Sequence, residues 1–424
     1  MQSITPISLL GTKQQHSSKL ILATAAAALC ISASLSLLSQ RPRKGRKGSL
    51  QVLYDPSPPK SLPSHSLHFQ NQKDDQKGLP YPPDALPGAR DVETPYGSVR
   101  VYEWGPEDGE AVLLVHGIST PVVALGDLAH EIVGRGYRVM MFDLFGRGYS
   151  DAPTDLPYDV RLYTTQLLLV LSSSKLPWTT FHLVGYSLGG SLAVSFTRYF
   201  PHRVRSLSLI APGGLIRRYH VGWRSWLYYD SGLVPEFLVA WLVRRRIRPE
   251  VKTPGGPDII TAESEHVVKN DNNGDSDANG GVNFDSAAIS ISRPNVTVAS
   301  VVAWQVDHHK GFIRAFLSTI RHAPIYLDSP QQDDSWNALS KILGEARRSS
   351  DAEAGAGLQG GKIFLVLGRD DCVIVLDEII ADARAALGHD GFEFAVLEGG
   401  HELPITASAG VAESISGFWS SISL

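Results

Sequence analysis

Gly185-Tyr186-Ser187-Leu188-Gly189-Gly190 places a serine between glycines at two-residue spacing. It follows an apolar run, Phe181-His182-Leu183-Val184, and opens a helical pattern. In that setting a G-x-S-x-G stretch bends sharply from strand to helix, where side chains on the glycines would meet neighbouring backbone. The bend lifts the Ser187 hydroxyl above a sheet, at the positive end of the next helix. A serine hydroxyl attacks a carbonyl only when a base takes its proton. Of fourteen histidines, His401 stands where that base belongs, directly after a terminal strand pattern and Gly399-Gly400. An imidazole accepts and returns a proton near neutrality, and needs an acceptor that holds its tautomer. The strand pattern Ile363-Phe364-Leu365-Val366-Leu367 ends in Gly368-Arg369-Asp370-Asp371. Either aspartate can serve; Asp371 is preferred and Asp370 is the runner-up. Negative charge developing on a carbonyl oxygen needs amide donors as well. Val112-Leu113-Leu114-Val115 runs into His116-Gly117-Ile118, so the N–H groups of Ile118 and Leu188 are the expected oxyanion hole. His116 reads as a brace for that loop, because one base suffices.

These corners need a scaffold, and the chain supplies one from residue 92 onward. Strand patterns at Ser98–Glu103, Ala111–Val115, Tyr137–Phe142, Thr180–Val184, Val204–Ile210, Lys362–Leu367 and Phe392–Leu397 alternate with helical ones. The helical patterns are Val122–Arg135, Val160–Ser174, Leu188–Phe200, Leu376–Leu387 and Thr406–Ser421. Several strands are unbroken apolar runs, as parallel strands covered on both faces require. The order predicts an α/β fold, a mostly parallel sheet with helices on both sides and its ligand site at the strands' carboxyl ends. Between Ile210 and Lys362 an insertion interrupts the alternation. It begins with an aromatic, basic helical stretch from Tyr219 to Arg248 and ends with helical patterns at Val298–Arg321 and Trp336–Ala346. Residues 253–295 are rich in Gly, Asn, Asp and Ser, and read as a disordered surface loop.

The chain resembles the α/β-hydrolase superfamily, in its AB hydrolase-1 type. The resemblance is carried by Val115-His116-Gly117, by Asp143-Leu144-Phe145-Gly146-Arg147-Gly148-Tyr149-Ser150-Asp151 and by Gly185–Gly190. Gly368-Arg369-Asp370-Asp371 and Gly399-Gly400-His401 complete it. Ser187, Asp371 and His401 follow the family's chain order. The family pattern sets its acid three residues after the glycine, ahead of apolar residues, and this favours Asp371. It also implies that the insertion is a helical cap. The resemblance divides the chain into a core at 91–212 and 360–424 and a cap at 213–359. The implied activity is hydrolysis of carboxylic esters through an acyl-enzyme, without metal or organic cofactor. Carbon–carbon bond hydrolases and peptidases use the same triad, and a non-catalytic binding module could retain the pocket. The aromatic cap points to a small-molecule substrate with a medium-sized apolar acyl or alkyl group.

Other patterns have plainer readings. Asp143–Gly148 is a tight turn after a strand. Gly355-x-Gly357-x-x-Gly360 precedes a strand, where a dinucleotide fingerprint would follow one. Asp275-x-Asp277-x-Asn279-Gly280 has Ser286 where a calcium loop needs Glu. His308 and His309, adjacent on a helix, point about 100° apart and rarely share an ion. Cys372 lacks a base, and Arg244-Arg245-Arg246 with Arg248 reads as a solvated face, with membrane contact as the alternative.

The 424 residues are 43% hydrophobic and 19% charged, a composition able to bury a large core. Two cysteines exclude a disulfide scaffold, and a net charge of −4 gives no reason to expect nucleic acid as a partner. The charge is unevenly spread. Residues 1–54 hold seven Lys and Arg without Asp or Glu, leaving −11 on the remainder. Residues 20–38 are uncharged, and five basic residues follow within Arg41–Lys47. At about 1.5 Å per residue they just span a bilayer core. Residues 1–48 are therefore expected to form a single-pass anchor that leaves the domain cytosolic, with a mitochondrial presequence as the alternative. Residues 49–90, dense in Pro, Ser and Gln, read as a tether.

Overall fold

The computed structural model describes residues 79–220, 234–249, 281–327, 334–348 and 357–422, with the backbone of 61–62. Eight strands form one sheet. In chain order they are β1 (Arg90–Thr94), β2 (Gly97–Trp104), β3 (Ala111–Val115), β4 (Arg138–Phe142), β5 (Phe181–Tyr186), β6 (Val204–Ile210), β7 (Ile363–Gly368) and β8 (Phe392–Leu397). Their spatial order is β8-β7-β6-β5-β3-β4-β2-β1. The pairs β1–β2 and β2–β4 are antiparallel and all others parallel. Runs such as Val112-Leu113-Leu114-Val115 are wholly buried, since a central parallel strand has protein on both faces. Glu393 and Phe394 on edge strand β8 remain exposed.

The helices beside the sheet are α1 (Gly126–Gly134), α2 (Val160–Ser172) and α3 (Leu188–Tyr199). Those of the insertion are α4 (Glu236–Ile247), α5 (Gly281–Ser286), α6 (Val298–His308), α7 (Phe312–His322) and α8 (Ser335–Arg348). The chain closes with α9 (Leu376–Leu387), α10 (Leu403–Thr406) and α11 (Ser408–Ile422). Local chemistry sets several of their ends. Asp159 caps α2 by accepting the Arg161 and Leu162 amides, and Thr297 with Ser300 forms a capping box on α6. Helix α1 packs on α11, while α2, α3, the insertion's α8 and α9 form a contiguous row.

The structure departs from the sequence reading in four places. Residues 79–89 are not tether. Tyr81 is buried with its ring 5.1 Å from that of Tyr149, and the Pro83 carbonyl accepts the Tyr102 hydroxyl and the Arg100 guanidinium. Burial of Tyr81 and Leu86 outweighs the local Pro content. The expected helix Val298–Arg321 is two helices. The imidazole of His309 accepts the Gly311 amide at the break, and a Cβ on Gly311 would lie 2.1 Å from that of Ala152. Residues 281–295 are not a disordered loop, because Phe284 and Ile289 are buried and hold α5 and the following turn in place. Phe237 and Trp241 of the aromatic stretch face solvent, where an aromatic cap turned toward an apolar substrate group is expected. Trp223, Trp226, Tyr228, Tyr229, the Asp275 pattern and the 20–38 stretch lie outside the described residues. Among the described residues no helix is long and apolar enough to cross a membrane.

Tyr81→Ala should cost about 3–5 kcal/mol, as removal of a buried aromatic side chain does. Urea unfolding measures it; a midpoint equal to wild type would return residues 79–89 to the tether.

Candidate active site

Strand register sets the site before any side chain does. Val115 pairs with Gly185 and Tyr186 with Ile210, so the turns after β3 and β5 leave the sheet side by side. Leu397 pairs with Gly368, which brings the segment after β8 against the one after β7. The Asp370 amide donates to the Gly399 carbonyl and closes that contact.

Ser187 occupies the turn between β5 and α3 with φ 53° and ψ −119°. A left-handed backbone at a residue with a side chain costs energy and persists only where the surroundings hold it. Here they do. The Ser187 amide donates to the Ile210 carbonyl, and its own carbonyl accepts the Gly190 and Gly213 amides. The flanking glycines permit close approach: a Cβ on Gly185 would lie 2.4 Å from the Gly189 carbonyl oxygen. One on Gly189 would lie 2.1 Å from that of Val115.

Three side chains meet here. The His401 Nε2 is 3.0 Å from the Ser187 Oγ, and its Nδ1 is 2.9 Å from Asp371 Oδ2. The other oxygen of Asp371 accepts the amides of Val373 and Ile374, each at 2.8 Å. A carboxylate so held leaves one oxygen to fix the imidazole tautomer. Asp370 is exposed and takes no part. The Tyr186 hydroxyl donates to the His401 carbonyl at 2.7 Å, and its ring lies 5.2 Å from the imidazole. The Phe284 ring approaches the same imidazole at 5.8 Å. Sequence reasoning missed both contacts. Tyr186 stands inside the serine motif and was within reach, whereas Phe284 lies in a stretch whose composition reads as loop.

The turn carrying Ile118 lies against the serine, since a Cβ on Gly117 would be 3.3 Å from that of Ser187. Leu188 opens α3, so its amide has no carbonyl one turn earlier to bond. Arg147 steadies the turn. Its guanidinium is fully buried and donates to the Ile118 carbonyl, the Phe145 carbonyl, the Tyr163 hydroxyl and the Thr319 hydroxyl. The insertion grips neighbouring turns as well. Gln305 accepts the Gly148 amide and donates to the Ser119 carbonyl, and His309 donates to the Ser150 carbonyl.

His116 acts as a brace. Its Nδ1–H donates to the Gly117 carbonyl, and its Nε2 accepts the Leu144 amide. Burial, reinforced by the Arg147 charge, lowers its pKa to about 3. Asp143 is also buried and accepts the Val122 and Tyr149 amides; burial pushes its carboxyl up to about 6. Desolvation and the Asp371 carboxylate push the Cys372 thiol up, away from the thiolate. His308, His309 and Asp307 point to separate partners: the Trp304 carbonyl, the Ser150 carbonyl and the pair Arg244 with Arg248. Gly360 lies in a turn leading into β7, on the wrong side of the strand for a phosphate loop.

The chain belongs to the alpha/beta hydrolase fold family, whose model matches residues 110–408. Among curated proteins it is 34% identical over 109 residues to the 2-hydroxy-6-oxo-2,4-heptadienoate hydrolase of Pseudomonas putida, covering 25% of this chain and 39% of that one. It is 31% identical over 119 residues to Lipase 1 of Psychrobacter immobilis, covering 28% and 37%. The chain thus spans about two fifths of the length of the curated relatives it matches. A solved structure, naproxen esterase from Bacillus subtilis, superposes with a TM-score of 0.47 at 16% identity, over 82% of this chain and 94% of that one.

The two buried groups act on stability in opposite senses. The His116 contribution is whole above 6.5 and is lost as the pH falls toward about 3, because the unfolded chain binds the proton first. The Asp143 contribution is whole below 3.8 and is lost as the pH rises through about 6. Unfolding curves mix the two, so imidazole NMR shifts are the better measurement. The His116 resonances should stay those of the neutral ring from neutrality down to pH 5; a midpoint near the usual histidine value would refute the brace.

Proposed function

We propose that this protein is a serine hydrolase acting on carboxylic esters. The observation that carries the reading is the unbroken chain of contacts from Ser187 Oγ through His401 to Asp371. His401 Nε2 takes the hydroxyl proton as Ser187 Oγ attacks the substrate carbonyl. The Ile118 and Leu188 amides receive the charge that forms on oxygen. His401 then passes the proton to the departing alkoxide, leaving an acyl-enzyme. A water molecule deprotonated by His401 releases the acid and restores the serine. Asp371 keeps Nδ1 protonated, so that Nε2 is the basic nitrogen throughout. Phe284, beside His401, supports an apolar group on the substrate.

A fluorophosphonate probe tests the nucleophile. Wild-type protein should be labelled stoichiometrically and Ser187→Ala not at all. Folded wild-type protein that stays unlabelled would make the domain a binding module. Turnover of p-nitrophenyl esters of graded acyl length tests the bond cleaved, and Asp371→Asn should lower kcat by roughly 10⁴, the loss of a correctly held tautomer. Labelling without ester turnover would favour carbon–carbon or amide cleavage.

The location proposed is a membrane, with residues 20–38 as the anchor and the domain on the cytosolic side. The full chain should resist alkaline carbonate extraction, and a chain lacking residues 1–48 should be extracted. Equal resistance would place the attachment elsewhere, and import into mitochondria with cleavage would support the presequence.

A further inference from the structure

Helix α4 presents an unusual outer face. Val239, Val243 and Ile247 are buried and fix which side of the helix meets the protein. At 100° per residue the opposite side carries Phe237, Leu238, Trp241, Arg244, Arg245 and Arg248. Phe237 is 78% exposed and Trp241 54%, so two aromatic rings stand in water one helical turn apart. A solvated helix normally turns charge outward and keeps such rings inward. The basic residues are just as distinctive. Beyond residue 54 the chain carries a net −11, yet four arginines fall within residues 244–248. Asp307 is shared between Arg244 and Arg248, and Glu236 pairs with Arg321. Arg245 lies over the Trp241 ring at 5.9 Å, which joins the aromatic and basic parts into one surface.

We propose that this face of α4 docks on an anionic lipid surface. Phe237, Leu238 and Trp241 would enter the boundary between headgroups and acyl chains, where Trp is favoured. The arginine stems would lie along that boundary with their guanidinium groups on lipid phosphates. The aromatic half selects a medium with an apolar layer, and the arginine half selects negative charge above it. A bilayer offers both along the length of a twelve-residue helix, about 18 Å. The proposal does not depend on the activity of Ser187, nor on the 20–38 anchor.

A local probe separates this contact from any other attachment. The full chain, with both native cysteines replaced by serine, carries Phe237→Cys labelled with an environment-sensitive NBD dye. A second protein carries the label at Lys341→Cys on α8. Each is reconstituted with vesicles of phosphatidylcholine alone or mixed with phosphatidylserine, with brominated lipid as quencher. The label at 237 should shift to the blue and be quenched only in the mixed vesicles, while that at 341 stays aqueous. Arg245→Gln should lower the docked-to-free ratio about fivefold, the share of one arginine near such a surface. An aqueous label in both vesicles overturns the proposal, and equal quenching in neutral vesicles overturns its anionic specificity. A blue-shifted label before lipid is added also overturns it, pointing to a second copy where the shift depends on protein concentration and to the chain's own residues where it does not.

Discussion

Ser187 is held with φ 53° in a turn where backbone from three strands converges. Its amide is tied to the end of β6, and its carbonyl binds the first turn of α3 and the segment after β6. Such a conformation costs on the order of 1–3 kcal/mol, and only a rigid frame sustains it. The frame in turn needs Gly185 and Gly189, since any side chain there would enter the backbone of α3 or β3. The apolar burial of β3, β5 and β6 therefore has a chemical consequence. It holds one hydroxyl off the sheet, within 3.0 Å of an imidazole more than two hundred residues away in the chain.

Around that turn the polar groups are buried but paired. His116 is kept neutral and used as both donor and acceptor. Arg147 is the opposite case, a cation inside the protein with carbonyl and hydroxyl oxygens around its guanidinium. An unmade bond at either would leave a desolvated polar group, a loss of about 1–3 kcal/mol or more. This penalty makes the loops at the carboxyl ends of β3 and β4 behave as part of the core. Thr319, Gln305 and His309 extend the same network into the insertion. The insertion is consequently a structural partner of the site, and Phe284 brings it within ring contact of His401.

Much was legible in the linear chain, for reasons that differ from element to element. The strands and the principal helices beside the sheet declare themselves because unbroken apolar runs and 3.6-residue periodicity are imposed locally. Ser187 and the glycines around it are legible because a sharp turn restricts residue type over six positions. His401 is legible by position, a few residues past the last strand, and position narrows its acid partner to Asp370 or Asp371. Less was visible where burial is decided at a distance. Tyr81 lies in a Pro-rich stretch, and only the Tyr149 ring and the Arg100 and Tyr102 side chains explain why residues 79–89 are packed. The break between α6 and α7 depends on how close Ala152 comes to Gly311.

By itself the sequence determined the order of elements, the strained serine turn and the identity of the groups able to exchange a proton. These follow from steric limits and periodicities that act over a few residues. Only the tertiary structure decided which aspartate meets His401, where the Arg147 charge resides and which face of α4 is turned outward. Each of those depends on contacts between segments far apart in the chain, and no local rule encodes the register or the packing that brings them together.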